Sequence, residues 1–446
     1  MTEGGLQAPT RHAIAWQDPD YFDPVKVEAE LRRVFDICHG CRRCFNLCDS
    51  FPRLFDLIDE SSSGELDSVN SKDFRRVIEG CTLCDLCFMT KCPYVPPHAF
   101  ALDFPHLMLR ARAAEARAHG VPRDSHELAK MDRNGKLAGM VAPLANWASA
   151  TGNTLTRPLL ERVAHLHRDA DLPRFASRSF VAQAAKNPPV VNTAAPAYGR
   201  KAVLYATCSV NYNEPEVGLA ARAVLAKNGV TTEVVHPHCC GMPLLELGCL
   251  DEVAAAARVV AGGLRKWIDD GYDVIALVPS CALMMKFEWP LILPGDDNVA
   301  ALSRATRDVS EYVVEIARKE GLVEGMRPVP GGVAVQIPCH ARAQNMGQKA
   351  AELLRLLPEA DVHVVERCCG HGGSWGCRTE NFEVALKVGR PVAREMRDAG
   401  KEYITSECPL AGVHIRQGIE KLGEGPRPTL VRHPVQLMAR AYGIGN

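Results

Sequence analysis

The chain has 446 residues, of which 47% are hydrophobic and 24% are charged, a composition typical of a globular protein rather than a disordered one. Length alone indicates about three domains. Lysine and arginine together number 52, and aspartate and glutamate together number 53, so the sequence lacks the basic excess that nucleic-acid-binding proteins carry. We therefore expect no nucleic-acid partner.

The unusual feature is the presence of 18 cysteines in a chain whose residues 1–5 show no export signal. A reducing cytosol disfavours disulfides, so these cysteines indicate a metal framework. The uncharged segment 137–156 contains Pro143, Asn146 and Asn153 and is too polar to span a membrane. We expect a cytoplasmic protein. Segment 137–155 is the candidate for peripheral contact at the inner face of a membrane, although packing on the protein itself is the simpler interpretation.

The predicted elements divide the chain into five parts. Residues 1–30 are predicted as an irregular arm, residues 31–98 as a helical ferredoxin-type domain, and residues 99–198 as a helical connector and linker. Residues 199–325 and 326–446 each alternate strands with helices. This alternation is typical of βαβ units, so we predict an α/β fold with parallel sheets for the C-terminal half.

The expected helices and strands follow from the hydrophobic spacing. The helices are 25–35, 107–118, 159–167, 216–228, 251–270, 348–357 and 381–399, the last of them interrupted at Gly389 and Pro391. The strands are 202–206, 232–235, 274–278, 333–337, 362–365 and 403–405.

Two runs of four cysteines stand first along the chain: Cys38-x2-Cys41-x2-Cys44-x3-Cys48 and Cys81-x2-Cys84-x2-Cys87-x4-Cys92. Three thiolates spaced in this way can reach three irons of one cubic cluster, and in two-cluster ferredoxins the fourth ligand comes from the other run. This rule predicts one [4Fe–4S] cluster on Cys38, Cys41, Cys44 and Cys92, and a second on Cys81, Cys84, Cys87 and Cys48. Structural zinc also uses Cys-x2-Cys pairs, but it needs no third cysteine two residues further on.

The C-terminal half contains an internal repeat that is marked by its cysteines. Each copy has a vicinal cysteine pair followed by a glycine, Gly241 or Gly370, which we expect to permit the tight backbone that lets both cysteines face inward. Each cysteine of the repeat lies just past a predicted strand, where open α/β sheets bind ligands. Each copy is therefore predicted to gather four thiolates into a metal site, either an iron–sulfur cluster or zinc. The two sets are Cys208, Cys239, Cys240 and Cys281 in the first copy, and Cys339, Cys368, Cys369 and Cys408 in the second.

Four further residues are weaker candidates. Cys249 is interpreted as a packing residue, and Cys377 as a loop cysteine or a replacement ligand. His340 and His371 adjoin predicted ligands, and they are candidates to hydrogen-bond cluster sulfur or to move protons. No dinucleotide-binding or P-loop fingerprint is present, and no paired-carboxylate or Ser–His–Asp arrangement stands out. We therefore assign no catalytic residue and expect no flavin or nicotinamide on this chain.

These motifs resemble a known family. The Cys-Cys-Gly repeat is similar to the domain pair in the B subunit of heterodisulfide reductase. Joined to a two-cluster ferredoxin domain, it resembles the iron–sulfur C subunit of anaerobic glycerol-3-phosphate dehydrogenase and its relatives. Segments 38–44 and 103–110 carry the likeness, which extends over residues 34–442. In the best-known relatives five cysteines of a unit hold a noncubane [4Fe–4S] cluster, whereas this chain has Met284 and Ala411 at the fifth positions.

The resemblance implies an iron–sulfur subunit of an oxidoreductase. It would relay electrons between a flavoprotein dehydrogenase, or another redox protein, and a quinone or disulfide acceptor. Two [4Fe–4S] clusters would be joined by one or two further clusters, of noncubane or four-thiolate type, or by zinc. Two alternatives stay open: the Cys-Cys-Gly units themselves reduce a disulfide or quinone, or the protein is a zinc-stabilised scaffold or redox sensor.

Overall fold

The computed structural model describes residues 9–444, so the first eight residues of the predicted arm lie outside the described range. The described chain falls into two compact units. The first unit comprises the residues up to 129 together with 241–254 and 291–294, and the second comprises 130–240, 255–290 and the residues from 295 onward.

The first unit is built from helices around an aromatic core. Phe35 packs edge-on against Phe74, with ring centroids 5.1 Å apart, and Phe51 lies 4.7 Å from Phe104. A π-helical turn spans Cys87–Lys91, and 3-10 turns span Pro19–Phe22, Leu66–Ser68 and Ser71–Asp73. The helices are α1 (Pro24–Cys41), α2 (Ser50–Asp59), α3 (Phe74–Gly80), α4 (Phe104–His119) and α5 (Arg123–Ala129).

Acidic side chains fix where the two longest of these helices begin. The Asp23 carboxylate accepts hydrogen bonds from the backbone N–H groups of Val25 and Lys26, at 2.9 and 3.0 Å, at the start of α1. Asp103 accepts one from the N–H of His106, at 3.1 Å, at the start of α4. Such caps satisfy backbone donors that have no partner within the helix. They therefore set the position of α1, whose last turn carries the first two cysteines of the N-terminal run.

The second unit begins with four helices and continues into two sheets. The helices are α6 (Met131–Met140), α7 (Ala142–Ser149), α8 (Arg157–Ala164) and α9 (Phe180–Lys186).

The first sheet has four parallel strands, β1 (Lys201–Tyr205), β2 (Thr231–Val235), β3 (Asp273–Ala276) and β4 (Thr306–Asp308), in the order β2-β1-β3-β4. Val203 of β1 stands opposite Glu233 on one side and Val274 on the other. A π-helical turn spans Met284–Glu288. The helices that follow these strands are α10 (Cys208–Tyr212), α11 (Pro215–Lys227), α12 (Met242–Glu246), α13 (Leu250–Asp269), α14 (Pro279–Leu283), α15 (Trp289–Ile292), α16 (Asp297–Ala305) and α17 (Val309–Lys319).

The second sheet repeats this arrangement with β5 (Val333–Gln336), β6 (Val362–Val365), β7 (Tyr403–Ser406) and β8 (Thr429–Val431), in the order β6-β5-β7-β8 and again all parallel. The identical order confirms the predicted duplication of an α/β unit. A 3-10 turn spans Trp375–Cys377, and the helices are α18 (Cys339–Arg342), α19 (Lys349–Leu354), α20 (Phe382–Asp398), α21 (Pro409–Lys421) and α22 (Pro434–Ala441).

In each sheet the first strand lies between the second and the third, so the chain winds first to one side and then to the other. In open parallel sheets such a reversal creates a crevice outside the carboxyl ends of the two central strands, where ligands bind. Here the crevices lie at the ends of β1 and β3 and at the ends of β5 and β7. Cys208 and Cys281 follow the first pair of strands, and Cys339 and Cys408 follow the second.

All six predicted strands are present, but the short strands β4 and β8 were not predicted. Both lie at an edge of their sheet, where a three-residue strand gives little hydrophobic periodicity. The predicted interruption of helix 381–399 is wrong, because α20 runs unbroken with Pro391 inside it. Gly389 serves packing instead: a Cβ at this position would come within 2.3 Å of the Cys369 carbonyl oxygen.

Candidate metal centres

The first cysteine run lies at the C-terminal end of α1. Cys38 and Cys41 occupy the last turn of the helix, and Cys44 and Cys48 follow in the loop that leads to α2. Arg42, the residue after the helix, has a left-handed φ of 50°. This backbone conformation turns the chain back on itself, which brings the second half of the run toward the first half.

The second run follows α3. Cys81 comes directly after the helix, Cys87 opens the π-helical turn, and Cys92 follows its end. The two residues that flank Cys84 have left-handed φ values of 48° and 62°. Left-handed residues other than glycine are uncommon, and here they produce the tight turns that point neighbouring thiols to one side.

The thiols of the two runs meet in two sets of four. Burial raises the pKa of Cys38, and the nearby thiolates of Cys92, Cys44 and Cys41 raise it further. The first set is therefore drawn from both runs, because Cys92 belongs to the second run.

The second set also combines thiols of both runs. Burial raises the pKa of Cys87, and Cys84, Cys81 and Cys48 add to the rise. Cys44 also contributes to the raised pKa of Cys87, so the two sets are neighbours. Buried thiols that repel one another in their ionised form cannot all ionise without a compensating positive charge, and a metal cluster provides that charge. Both sets therefore fit four-thiolate metal centres.

A buried ion-pair network fixes the second run. The Arg11 guanidinium donates to both oxygens of Asp85, at 2.8 Å each, and to Asp103 at 2.9 and 3.1 Å. It also stacks on the Phe88 ring, 4.3 Å from the centroid. The side chain of Asp85 is only 5% exposed. Since Asp85 lies between Cys84 and Cys87, this network holds the segment that carries two thiols of the second set.

We expect Arg11→Met to lower the free energy of unfolding by about 3–5 kcal/mol, because it leaves two carboxylates without their buried cation. Urea titration of the anaerobic protein measures this loss. The matched control is Arg75→Met, which breaks an exposed pair with Glu79 and should change the stability little. Equal effects of the two substitutions would contradict the structural role of Arg11.

In the first repeat copy, four thiols converge at the ends of β1, β2 and β3. The Sγ atoms of Cys208 and Cys239 lie 3.7 Å apart, and those of Cys240 and Cys281 lie 3.3 Å apart. A hydrogen bond with Cys239, together with burial, raises the pKa of Cys208. Hydrogen bonds with Cys239 and Cys281, and then burial, raise that of Cys240. The predicted set of this copy is thus brought together in one group.

Polar contacts hold the vicinal cysteine pair of this copy, and they could not be predicted from the neighbouring sequence. Asp132 of α6 accepts a hydrogen bond from the backbone N–H of Cys239, at 2.7 Å, and its other oxygen lies 2.6 Å from His236 Nε2. The Tyr205 hydroxyl donates to the carbonyl of His238 at 2.6 Å. Asp132 was not predicted, because about a hundred residues of sequence separate it from the cysteines that it positions.

In the second copy, electrostatic interactions link Cys368, Cys369 and Cys408. Burial raises the pKa of Cys369, and the thiolates of Cys368 and Cys408 raise it further. The backbone N–H of Gly370 donates to Cys368 Sγ at 3.4 Å. Cys339 begins α18 at the end of β5, at the same position in the repeat as Cys208.

The two repeat copies meet through these same loops. The Ser280 hydroxyl, beside Cys281, lies 2.8 Å from His340 Nδ1, beside Cys339. Burial raises the pKa of Cys408, and the Cys281 thiolate of the other copy adds to the rise. The thiol groups of the two copies therefore lie close enough to interact electrostatically. His340 hydrogen-bonds across the copies, a contact that its predicted role beside cluster sulfur did not include.

Two glycines have the predicted role. Gly241 and Gly370, which follow the vicinal pairs, have φ values of 78° and 80°. A side chain at Gly370 would place its Cβ 2.1 Å from the Ala385 carbonyl oxygen. The glycine therefore permits both the left-handed turn and the close approach of the loop to α20.

A buried carboxyl pair lies beside Cys408, although no paired carboxylates were evident in the sequence. Glu407 is completely buried, and burial followed by the charge of Asp308 raises its pKa well above the usual value. Burial raises the pKa of Asp308 to about 7. Asp308 belongs to the unpredicted strand β4 and comes from the other repeat copy, so its proximity to Glu407 could not be predicted. Its local sequence shows only a helix-capping motif, Asp308-x2-Glu311.

This pair predicts a pH dependence of stability. The native state keeps a proton on Asp308 that the unfolded chain releases above about pH 4, so stability should fall as the pH rises from about 4 to about 7. In Asp308→Asn this fall should be smaller, while the asparagine still caps α17. Melting temperatures of both proteins between pH 4 and pH 8 measure the difference. Parallel profiles would contradict the protonated state of Asp308.

His371 and Cys377 border a small cavity in the second unit. Both ring nitrogens of His371 are buried without a hydrogen-bond partner among the described residues, and burial lowers its pKa to about 3. Cys377 packs with Ala170 and Phe382 in an apolar cluster. This environment is that of a packing residue, and burial raises the pKa of the Cys377 thiol to about 11.

Comparison with protein families identifies the repeat. A family model described as a cysteine-rich domain matches residues 202–286 and residues 333–416, which correspond to the two copies.

Known proteins also match over longer stretches. The C subunit of anaerobic glycerol-3-phosphate dehydrogenase from Escherichia coli K12 is 26% identical over 327 residues, covering 70% of this chain and 76% of the relative. The B subunit of the fumarate reductase (CoM/CoB) from Methanothermobacter marburgensis is 27% identical over 250 residues, covering 55% of this chain and 47% of the relative. An uncharacterized iron–sulfur protein of Methanocaldococcus jannaschii is 25% identical over 227 residues, covering 50% of this chain and 42% of the relative.

Proposed function

Because the chain carries two copies of the cysteine-rich domain and is homologous to subunits of oxidoreductases, we propose that it is an iron–sulfur electron-transfer subunit. It relays electrons between a flavoprotein dehydrogenase, or another redox protein, and a quinone or disulfide acceptor. The observation that carries the proposal is the grouping of the thiols: two neighbouring sets in the first unit, and groups in the two repeat copies that interact through Cys281 and Cys408.

In the first unit, we assign one [4Fe–4S] cluster to Cys38, Cys41, Cys44 and Cys92, and another to Cys81, Cys84, Cys87 and Cys48. When bound, such clusters accept and donate single electrons. The protein's own contribution is to bury the sulfur atoms and to hydrogen-bond them. Backbone N–H groups of Leu83 and Tyr94 donate to the thiolates of Cys81 and Cys92 and lower their pKa, against the larger rise caused by burial. Such bonds tune the reduction potential.

In the second unit, each repeat copy provides one further site, for an iron–sulfur cluster or zinc. The fifth cysteine of the noncubane ligand set is replaced by Met284 in one copy and by Ala411 in the other, and both residues are buried. A four-thiolate centre suits the first copy, whose sulfur atoms lie 3.3 and 3.7 Å apart in pairs.

The proposal keeps the domain division inferred from sequence. Residues 31–98 form the ferredoxin-type domain, residues 99–198 the connector, and residues 199–325 and 326–446 the two repeat units, preceded by the arm 1–30. The positions of the cysteines support this division, because no cysteine set extends over more than one of these segments.

The buried carboxyl pair favours one alternative, in which the repeat units carry out the terminal reduction. Reduction of a disulfide consumes two electrons and two protons, so the protons must reach the same place as the electrons. Glu407 adjoins Cys408, and Asp308 interacts with it, so a protonated carboxyl group stands beside one predicted metal ligand. Glu407→Gln tests this role: acceptor reduction should slow while the iron content stays unchanged.

A membrane surface is the proposed site of peripheral contact. No helix in the described part of the chain is long and apolar enough to cross a bilayer. However, α6, α7, α8 and the turns between them form an exposed apolar patch that comprises Leu137, Met140, Val141, Leu144, Trp147, Leu155, Leu159 and Val163, each at least half exposed. The exposed cations Lys136 and Arg162 lie on α6 and α8 beside this patch. Apolar side chains with flanking cations suit the interface of an anionic bilayer.

We expect the protein to sediment with vesicles that contain phosphatidylglycerol. The double variant Leu144→Glu/Trp147→Glu should bind at least about tenfold less, because two exposed apolar side chains that would enter the bilayer are replaced by charges. Val190→Glu is the control, since Val190 is 93% exposed but lies outside the patch. If the double variant binds as the control does, this patch is not the membrane contact.

The relay itself is tested by electron transfer through the anaerobically purified protein. A reduced low-potential dye serves as donor and a water-soluble quinone as acceptor. We expect quinone reduction that depends on the protein and disappears after its iron is chelated. Transfer at the same rate by the iron-free protein would contradict the proposal.

A further inference from the structure

Three metal-binding side chains that belong to none of the four cysteine sets lie together in the first unit. The ligand atoms of His126, Cys249 and Glu252 are all within 4.8 Å of one another. His126 Nε2 and Glu252 Oε1 are 2.7 Å apart. We propose that these three residues bind a divalent transition metal ion, Zn²⁺, at a site separate from the iron–sulfur relay.

Local structure explains why two of the ligands share one face. Cys249 immediately precedes α13, and its carbonyl accepts a hydrogen bond from the N–H of Val253 at 3.0 Å. Glu252 stands three residues further on, in the first turn of the helix. Residues three apart on a helix are neighbours on its surface, so the thiol and the carboxylate project to the same side.

A glycine brings this turn close to α4. Gly248 has a φ of 78°, and a Cβ at this position would come within 2.6 Å of the backbone nitrogen of Ala113. Only glycine combines that conformation with so close an approach. His126 then completes the group from α5. The sequence-based interpretation of Cys249 as a packing residue did not include these polar neighbours.

The three ligands line a cavity of about 660 Å³. Trp16, Phe22 and Arg117 line it as well, and the Arg117 guanidinium stacks on the Phe22 ring at 4.3 Å. Zinc sites with three protein ligands keep a fourth position for water or another small ligand. Here that position has room on the cavity side, where the positive charge of Arg117 would favour an anionic fourth ligand.

The donor types select the kind of metal. Magnesium and calcium prefer oxygen ligands throughout, and iron–sulfur clusters are held mainly by thiolates. One imidazole nitrogen, one thiolate and one carboxylate form a mixed set of borderline softness, which is the usual ligand chemistry of zinc. Without a metal, the same atoms form a His–Glu ion pair with the half-buried Cys249 thiol hydrogen-bonded to the glutamate.

The test is equilibrium dialysis of the anaerobic, cluster-loaded protein against Zn²⁺ after mild chelation, with zinc and iron counted in the same sample. We expect Cys249→Ser and His126→Gln each to weaken one zinc site at least about tenfold and to leave the iron content unchanged. Cys377→Ser, which alters a packing cysteine, is the matched control and should bind zinc as the wild type does. Because iron is counted separately, failure of this proposal is distinguishable from failure of the electron-relay proposal.

Zinc K-edge absorption of the loaded protein provides the second readout. A single sulfur at about 2.3 Å, with nitrogen or oxygen ligands at about 2.0–2.2 Å, would support the site. The proposal is overturned if the wild type takes up no zinc, if the Cys249 and His126 variants bind as much as the wild type, or if the bound zinc has only sulfur ligands.

Discussion

Replacement of Cys44 by alanine is expected to remove one cluster and interrupt the relay. Cys44 is an assigned ligand of the first set, and its thiolate also raises the pKa of Cys87 in the second set. We expect Cys44→Ala to lose about four irons per chain and to slow dye-to-quinone electron transfer at least about 100-fold. This effect should be larger than that of replacing a residue that only positions a ligand. Iron analysis and the electron-transfer assay measure the two effects.

Cys377→Ser is the matched control, because Cys377 packs with Ala170 and Phe382 rather than joining a thiol set. Its iron content and electron transfer should equal those of the wild type. If Cys44→Ala kept its full iron content and activity, the assignment of the first cluster would be wrong.

The second large effect is expected from the repeat units. Cys240→Ala and Cys369→Ala should both retain the iron of the N-terminal clusters, about eight atoms, and both should lose electron transfer to the acceptor. In the first copy the thiols lie close together, with Cys240 Sγ 3.3 Å from Cys281 Sγ, so Cys240→Ala removes one ligand from a set that is already gathered.

These two variants also separate the relay from terminal catalysis. In a relay, dye-linked transfer to an artificial acceptor and reduction of the natural class of acceptor fall together. If dye-linked transfer persists while reduction of a disulfide or quinone vanishes, the repeat units perform the terminal step. If neither activity changes, the repeat cysteines serve only for packing.

The sequence predicted the structural features that depend on neighbouring residues or on the internal repeat. The predicted strands from 202–206 to 403–405 are all present, because each is a short apolar run bounded by turns. The repeat predicted two sheets of the same topology, since each copy carries its cysteines just past its strands. The need for Gly370 likewise followed from the adjacent cysteine pair.

Long-range contacts could not be predicted in this way. The partnership of Glu407 with Asp308, and that of Asp132 with Cys239, join residues that are about a hundred positions apart and have no common motif. The continuity of α20 through Pro391 also depends on tertiary structure. The buried side chains of Val392 and Met396 contribute packing energy that offsets the helix-breaking cost of a proline, about 3 kcal/mol.

The most direct test of the central claim is the metal content and magnetic spectrum of protein purified without air. We expect a brown protein with at least about eight irons and eight acid-labile sulfides per chain, and with electron paramagnetic resonance signals of [4Fe–4S] clusters after reduction. Additional signals on oxidation would reveal further clusters in the repeat units. A colourless protein that contains zinc but neither iron nor sulfide would contradict the account.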